Sequence, residues 1–206
     1  MFGCHNQADK ADEKKIANQI SHSQKKYPLI DTSKVQLSDS YYQFIKITDS
    51  TSTIKWGNKS ITNYVSDTTN NFYIEKDEIN LKWSNGKFIA LGRSTGSDTW
   101  FNIILPLTKN TDVKFYENPL TVDKENGIIV YEYYFEICDT ILIAENIMTG
   151  KKQYIGAGWK KCSSVFNHYC IDSISVSKNQ LYLEGTLPNN IDKPNKTEIK
   201  RIKLDL

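Results

Sequence analysis

The feature that most limits what this chain can become is a turn-then-strand unit that recurs along it. Asn85-Gly86 precedes the run Phe88 to Gly92, Asn126-Gly127 precedes Ile128 to Tyr134, and Asn179-Gln180 precedes Leu181 to Gly185. A polar stretch and a second apolar strand follow each run. The spacings from Asn85 to Asn126 and from Asn126 to Asn179, 41 and 53 residues, are irregular but close to one four-stranded propeller blade. Asn85-Gly86 is the clearest turn signal, because Asn-Gly readily adopts the positive φ angles of a two-residue hairpin.

The best-formed unit runs from Gly127 to Ile155, led by a short strand from Leu120 to Val122. An aromatic strand from Ile128 to Phe135 is followed by a second from Ile141 to Ile147. The corner Met148-Thr149-Gly150-Lys151 then turns the chain into a third strand ending at Ile155. In the first strand Ile129, Tyr131, Tyr133 and Phe135 occupy one phase, and Ile128, Val130 and Tyr134 the other. Apolar residues in both phases mark a strand packed on both faces.

An earlier unit holds strands at Tyr41 to Thr48, Thr53 to Trp56 and Ile61 to Val65. The next holds Phe72 to Glu75, Ile79 to Trp83, Phe88 to Leu91, Thr99 to Leu105 and Val113 to Tyr116. A last unit comprises Ile174 to Val176, Leu181 to Glu184 and Thr197 to Leu206. In its final strand Lys200, Ile202, Leu204 and Leu206 share one face, and Ile199, Arg201, Lys203 and Asp205 the other. The expected fold is therefore all-β, a small propeller-like array of about four antiparallel blades, with a β-sandwich as the competing arrangement. The last unit lacks a fourth strand, and a strand near Val35 is expected to complete it and close the ring.

Composition agrees and excludes several functions. Aromatic residues make up 12% of the 206, which favours strands. The net charge of +2, with both signs mixed along the chain, gives no nucleic-acid footprint. No apolar run is long enough to span a membrane as a helix. H-E-x-x-H, Walker, G-x-S-x-G and G-x-G-x-x-G motifs are all absent, and no cofactor is implied. Cys162, His168 and Cys170 would supply only three ligands where a structural zinc site needs four, and a Cys–His nucleophile pair is the other chemical reading. A disulfide between Cys162 and Cys170, closing a short loop in an oxidising compartment, is favoured over both. The remaining alternative is two reduced thiols, and Cys138 reads as a buried small hydrophobe. Glu132 and Glu136 lie on one strand face about 13 Å apart, too far for a glycosidase pair, and read as a solvated face or polar patch.

The binding residues expected are in two connections. The first, residues 156–170, carries Trp159, Lys160, Lys161, Phe166, His168 and Tyr169; the second, 93–100, carries Arg93, Asp98 and Trp100. Long connections on a rigid β scaffold are where function concentrates. Trp56, Trp83, Trp100 and Trp159 stand beside polar residues and read first as inter-blade packing, second as binding platforms.

Met1-Phe2-Gly3-Cys4 resembles the end of a bacterial lipoprotein signal, in which a small residue precedes the lipid-bearing Cys. The polar stretch that follows suits a tether, so residues 1–33 are assigned to the anchor and tether and 34–206 to the all-β domain. The alternative is a non-native remnant followed by an unstructured arm. With this address, size and strand pattern, the chain resembles the small periplasmic immunity proteins that bacteria keep against secreted toxins such as type VI secretion effectors. The resemblance implies a non-enzymatic lipoprotein, held at the envelope membrane through Cys4, that covers a toxin's active site with a loop. A glycan- or small-ligand-binding surface lipoprotein is the alternative function, and an enzyme of unrecognised type the third.

Overall fold

Runs of β-branched and aromatic residues in this chain are short and are cut by Asn, Asp and Gly, a pattern that builds strands and the turns between them. The structure, a computed structural model, describes residues 30–31, 34–48, 51–67, 79–94, 99–133, 140–156, 170–187 and 196–206. Every regular element of strand or helix length among them is a strand. The first sheet contains β1 (Ile30–Asp31), β2 (Val35–Gln36), β3 (Ser40–Thr48), β4 (Thr51–Asn58) and β5 (Thr62–Asp67). The second contains β6 (Ile79–Ser84), β7 (Phe88–Ser94), β8 (Trp100–Pro106) and β9 (Lys114–Glu117). The third contains β10 (Pro119–Asp123), β11 (Ile128–Glu132), β12 (Thr140–Asn146) and β13 (Lys152–Gly156), and the fourth β14 (Ser173–Ser177), β15 (Gln180–Leu187) and β16 (Lys196–Lys203).

All pairing is antiparallel, and within each sheet the strands lie in chain order. The three runs that follow the recurrent turns become β7, β11 and β15, the second strand of their sheets, so the repeat seen in the sequence is the repeat of the architecture. The strand expected at Phe72 to Glu75 lies outside the described residues.

Alternation along the strands stacks the sheets. On β7, Ile89 and Leu91 join a core with Phe44, Ile54 and Trp56 of the first sheet. Phe88 and Ala90 point the other way, into a core with Ile129 and Ile147 of the third. On β11 Ile129 faces the second sheet, while Ile128 and Val130 meet Val176, Leu181 and Leu183 of the fourth. The middle sheets are thus buried on both faces. Among the described residues the fourth sheet buries one face and leaves Ile199 54% exposed on the other, while on the outer face of the first sheet Tyr64 is 60% exposed although Tyr41 and Thr53 are buried.

Val35 does not close a ring. β2 pairs with β3, with Val35 opposite Tyr42, and β1 continues along the same edge, with Ile30 opposite Lys46. The Leu37 N–H donates to the Ser40 carbonyl at 2.8 Å, so the chain folds back at once onto its neighbour. Closing that short loop costs far less entropy than reaching a strand at the other end of the chain. No apolar cluster among the described residues joins the first and fourth sheets. Among the described residues the fourth sheet keeps three strands.

The tight turns share one device. Asn58 Oδ1 accepts from the N–H groups of Ser60 and Ile61 at 2.9 and 3.0 Å, and Asn85 Oδ1 from Lys87 and Phe88 at 2.9 and 2.8 Å. Asp123 Oδ1 accepts from Glu125 and Asn126 at 3.2 and 3.1 Å, and Asn146 Oδ1 from Met148 and Thr149 at 3.0 and 3.1 Å. In each case a side-chain oxygen at or just after a strand end satisfies the turn's orphan donors. The Asn85-Gly86 turn therefore differs from expectation. Neither residue has positive φ, and the Asn85 side chain, rather than a left-handed backbone, reverses the chain over residues 85–87.

Asp123 does more than cap its own turn. Its Oδ2 accepts from the Lys178 N–H at 2.6 Å, tying the third sheet to the β14–β15 turn, where Lys178 holds a φ of 53°. Burial alone would raise the Asp123 carboxyl, but hydrogen bonds from Asn126, Lys178 and Glu125 outweigh it and hold its pKa below the usual range. A depressed folded-state pKa gives stability that is complete above the unfolded value of about 4 and is lost as pH falls through the folded value. Asp123→Asn is expected to cost about 2 kcal/mol at neutral pH and to flatten the acid limb of stability, measured by urea unfolding between pH 3 and 7.

Candidate functional site

Strand direction sorts the connections into two ends. The turns at 59–61, 85–87, 107–113, 124–127, 147–151 and 178–179 all lie at one end of the stack. Contacts between sheets align them there. Asn63 Nδ2 donates to the Thr108 carbonyl at 2.9 Å, Asn85 Nδ2 to the Lys124 carbonyl at 2.7 Å, and the Lys178 N–H to Asp123. The opposite end carries the strand ends that flank residues 49–50, 68–78, 95–98, 134–139, 157–169 and 188–195. It also carries β1, because Ile30 sits beside Lys46 near the close of β3. The longest connections thus depart from one face of the molecule.

At that end a buried polar hub holds the second and third sheets together. Asn118, wholly buried at a φ of 43°, bridges them. Its N–H donates to the Trp100 carbonyl at 2.8 Å and its Oδ1 accepts from the Trp100 N–H at 2.9 Å. Its Nδ2 donates to Glu132 Oε2 at 3.2 Å. A non-glycine residue holds this left-handed backbone because its side chain is used on both sides. Glu132 is only 3% exposed, so it is not on a solvated face as its sequence neighbours imply. The bend after β9 brings Asn118 over it.

Of the residues expected to bind a partner, Arg93 and Trp100 are described. Arg93 pairs with Phe101 and Ser94 with Trp100 at the loop-bearing end of β7 and β8. Trp100 is half-buried, its Nε1 donating to the Pro119 carbonyl at 3.0 Å. Trp56 is buried and donates to the Pro106 carbonyl at 2.8 Å, and Trp83 packs edge-on against Phe88 with centroids 6.2 Å apart. Trp56 and Trp100 thus tie one sheet to the next, and Trp83 packs on its own sheet's Phe88 at the edge of the core between the second and third sheets. Asp98, Trp159, Lys160, Lys161, Phe166, His168 and Tyr169 lie outside the described residues, as do Cys4, Cys138, Cys162 and Glu136. Cys170 is buried and disulfide-bonded.

The densest chemistry in the described residues is a network that sequence reasoning missed. Glu145, 5% exposed on β12, receives Lys114 Nζ at 2.9 Å and the Tyr116 hydroxyl at 3.0 Å on Oε1. Its Oε2 accepts from the Tyr131 hydroxyl at 3.1 Å and lies 3.6 Å from Lys152 Nζ. Burial, reinforced by the Glu145 charge and hydrogen bond, pushes both tyrosine hydroxyls well above their ordinary value. They therefore stay protonated and donate. A carboxylate held by three hydrogen bonds and a nearby ammonium, with hydroxyls that keep their protons, forms a fastener between sheets, unsuited to shuttling protons. The signal in the sequence was a single charged residue, Glu145, directly after the apolar run Ile141 to Ala144 of β12.

No group of three or more His, Cys, Asp or Glu among the described residues is arranged to hold a metal ion, and no helix among them is long and apolar enough to cross a membrane.

Glu145→Ala should cost about 3 kcal/mol in urea unfolding, because two buried hydroxyls lose their acceptor. Since the folded-state tyrosine pKa values are raised, their contribution is complete below pH of about 10 and is lost as pH rises beyond it. Tyr116→Phe is therefore expected to flatten the alkaline limb of the stability profile. The chain matches no family model, no curated protein and no solved structure.

Proposed function

We propose that this is a non-enzymatic lipoprotein of the bacterial cell envelope, anchored through Cys4, that binds and neutralises a secreted antibacterial toxin as an immunity protein does. The observation that carries the reading is the division of the stack into a turn end and a loop-bearing end. Six connections share the second end, above sheets held in register by buried polar fasteners. A rigid scaffold that leaves its long connections on one face is suited to occluding a partner's cleft. Arg93 and Trp100 stand at the rim of that face, and the connection bearing Trp159, Lys160, Lys161, Phe166, His168 and Tyr169 departs from it. A disulfide at Cys170 is at home in an oxidising envelope compartment.

A glycan-binding reading is supported by one feature. Tyr154, 59% exposed, meets Tyr133 edge-to-face with centroids 5.7 Å apart, offering an aromatic surface on which a sugar ring could stack.

Purified protein is expected to form a stable complex with a toxin encoded beside its gene. In that complex Trp159→Ala with Phe166→Ala should weaken binding by about 2 to 4 kcal/mol, read by calorimetry. Unchanged affinity in the double variant would remove the loop from the interface. Binding to cell-wall oligosaccharides on an array, with no protein partner found, would favour the glycan reading instead.

A further inference from the structure

Among the described residues the fourth sheet has three strands where its neighbour has four, none of them pairs with the outer edge of β16, and that edge has a defined pattern. Ser177 and Gln180 flank the two-residue turn of the β14–β15 hairpin, so they form a hydrogen-bonded pair. Alternation then turns the backbone groups of Leu181, Leu183 and Gly185 towards β16, opposite Ile202, Lys200 and Glu198. The Leu204 N–H donating to the Asn179 carbonyl at 2.7 Å continues the same phase. Thr197, Ile199 and Arg201 must therefore aim their N–H and C=O groups at the open edge.

One end of that edge is already filled. The Gln153 carboxamide, reaching from β13, donates to the Lys203 carbonyl at 3.2 Å and accepts from the Asp205 N–H at 2.7 Å. A side-chain amide here does the work of a neighbouring strand and sets a limit at Arg201. Between that limit and Thr197 the edge offers a ladder centred on Ile199, an aliphatic residue 54% exposed in mid-strand.

We propose that this edge pairs antiparallel with β16 of a second copy of the chain about a two-fold axis at Ile199. The register is self-complementary. Thr197 meets Arg201 of the second copy, Ile199 meets its own equivalent, and each outward-facing residue falls opposite an outward-facing residue. Between them Glu198, whose Oε1 also accepts from Lys196 Nζ of its own strand at 3.1 Å, stands opposite Lys200 of the second copy, opposite charges in the closer type of antiparallel pair. A parallel arrangement would instead set Lys against Lys and Arg against Arg, so the charges select the antiparallel one. Lysine on an edge strand guards it against indiscriminate pairing, and here it leaves one register open. An isologous contact of this kind closes on itself and stops at a dimer. The edge begins beside the loop-bearing end and runs away from it along the side of the fourth sheet, and the inference stands whether or not a toxin is the partner.

Sedimentation equilibrium of the full chain from about 10 µM to about 1 mM tests it, because a short ladder gives a weak, concentration-dependent dimer. The average mass is expected to rise towards twice that of the monomer. Ile199→Asp, which sets two carboxylates face to face, should hold the protein monomeric with its thermal unfolding unchanged. Ile199→Pro, which removes an N–H that β15 does not use, should do the same. Glu198→Lys should weaken the dimer at least tenfold, and Glu198→Lys with Lys200→Glu should restore it. A monomer throughout the range, or a dimer indifferent to both Ile199 variants, overturns the proposal. So does amide-exchange protection of Thr197, Ile199 and Arg201 that is already complete at the lowest concentration, since the chain itself would then cover the edge.

Discussion

Two-sided burial of the middle sheets is the constraint on which everything else depends. β7 and β11 carry apolar side chains in both phases, with Phe88, Ile89, Ala90 and Leu91 all fully buried on one, and Ile129 and Val130 on the other. A sheet of that kind cannot exist in water with a face uncovered. The first and fourth sheets supply the covers. Their own outer faces are polar enough to end the stack, much as capping repeats end a solenoid. Among the described residues no apolar cluster joins the first and fourth sheets to close the array.

Apolar layers fix which faces meet but leave sliding between sheets cheap. The polar fasteners remove that freedom. Trp56 and Asn63 reach carbonyls of the second sheet, Glu145 gathers donors from the second and third, and Asp123 grips the turn of the fourth. Each is short, directional and buried or nearly so, and breaking any one would leave a desolvated group without a partner. These lie towards the turn end, and the Trp100–Asn118–Glu132 hub ties the second and third sheets at the loop-bearing end, so strand ends there hold fixed positions relative to one another.

The sequence made the strand units legible because hydrophobic alternation and turn residues are local signals. The recurrent Asn turns predict β7, β11 and β15, and the two-phase pattern at Ile128 to Tyr134 predicts the burial of β11 on both faces. What it could not show was which strand reaches which. Val35 pairs locally because a short loop closes more cheaply than a long one, a comparison no single window contains. Buried polar residues were equally opaque. Glu132 and Glu145 read as surface residues by type, and only the approach of Asn118, Tyr116 and Lys114 from another sheet makes their burial tolerable. The turn at Asn85 was placed correctly but mis-typed, since side-chain capping and left-handed backbone use the same residue. Most of the nominated partner-binding residues lie in 157–169, beyond what the structure describes.

The position of β1 has a geometric consequence for orientation. Ile30 lies at the loop-bearing end, so whatever precedes it is rooted on the same side as the long connections. If Cys4 carries the proposed lipid, the domain hangs from the membrane by that side, like a bell held at its mouth. The intervening chain could span at most about 90 Å when fully extended, and its contour length would then set how far a bulky partner could slip between the domain and the bilayer. The turn end, with the β16 edge running towards it, would face away.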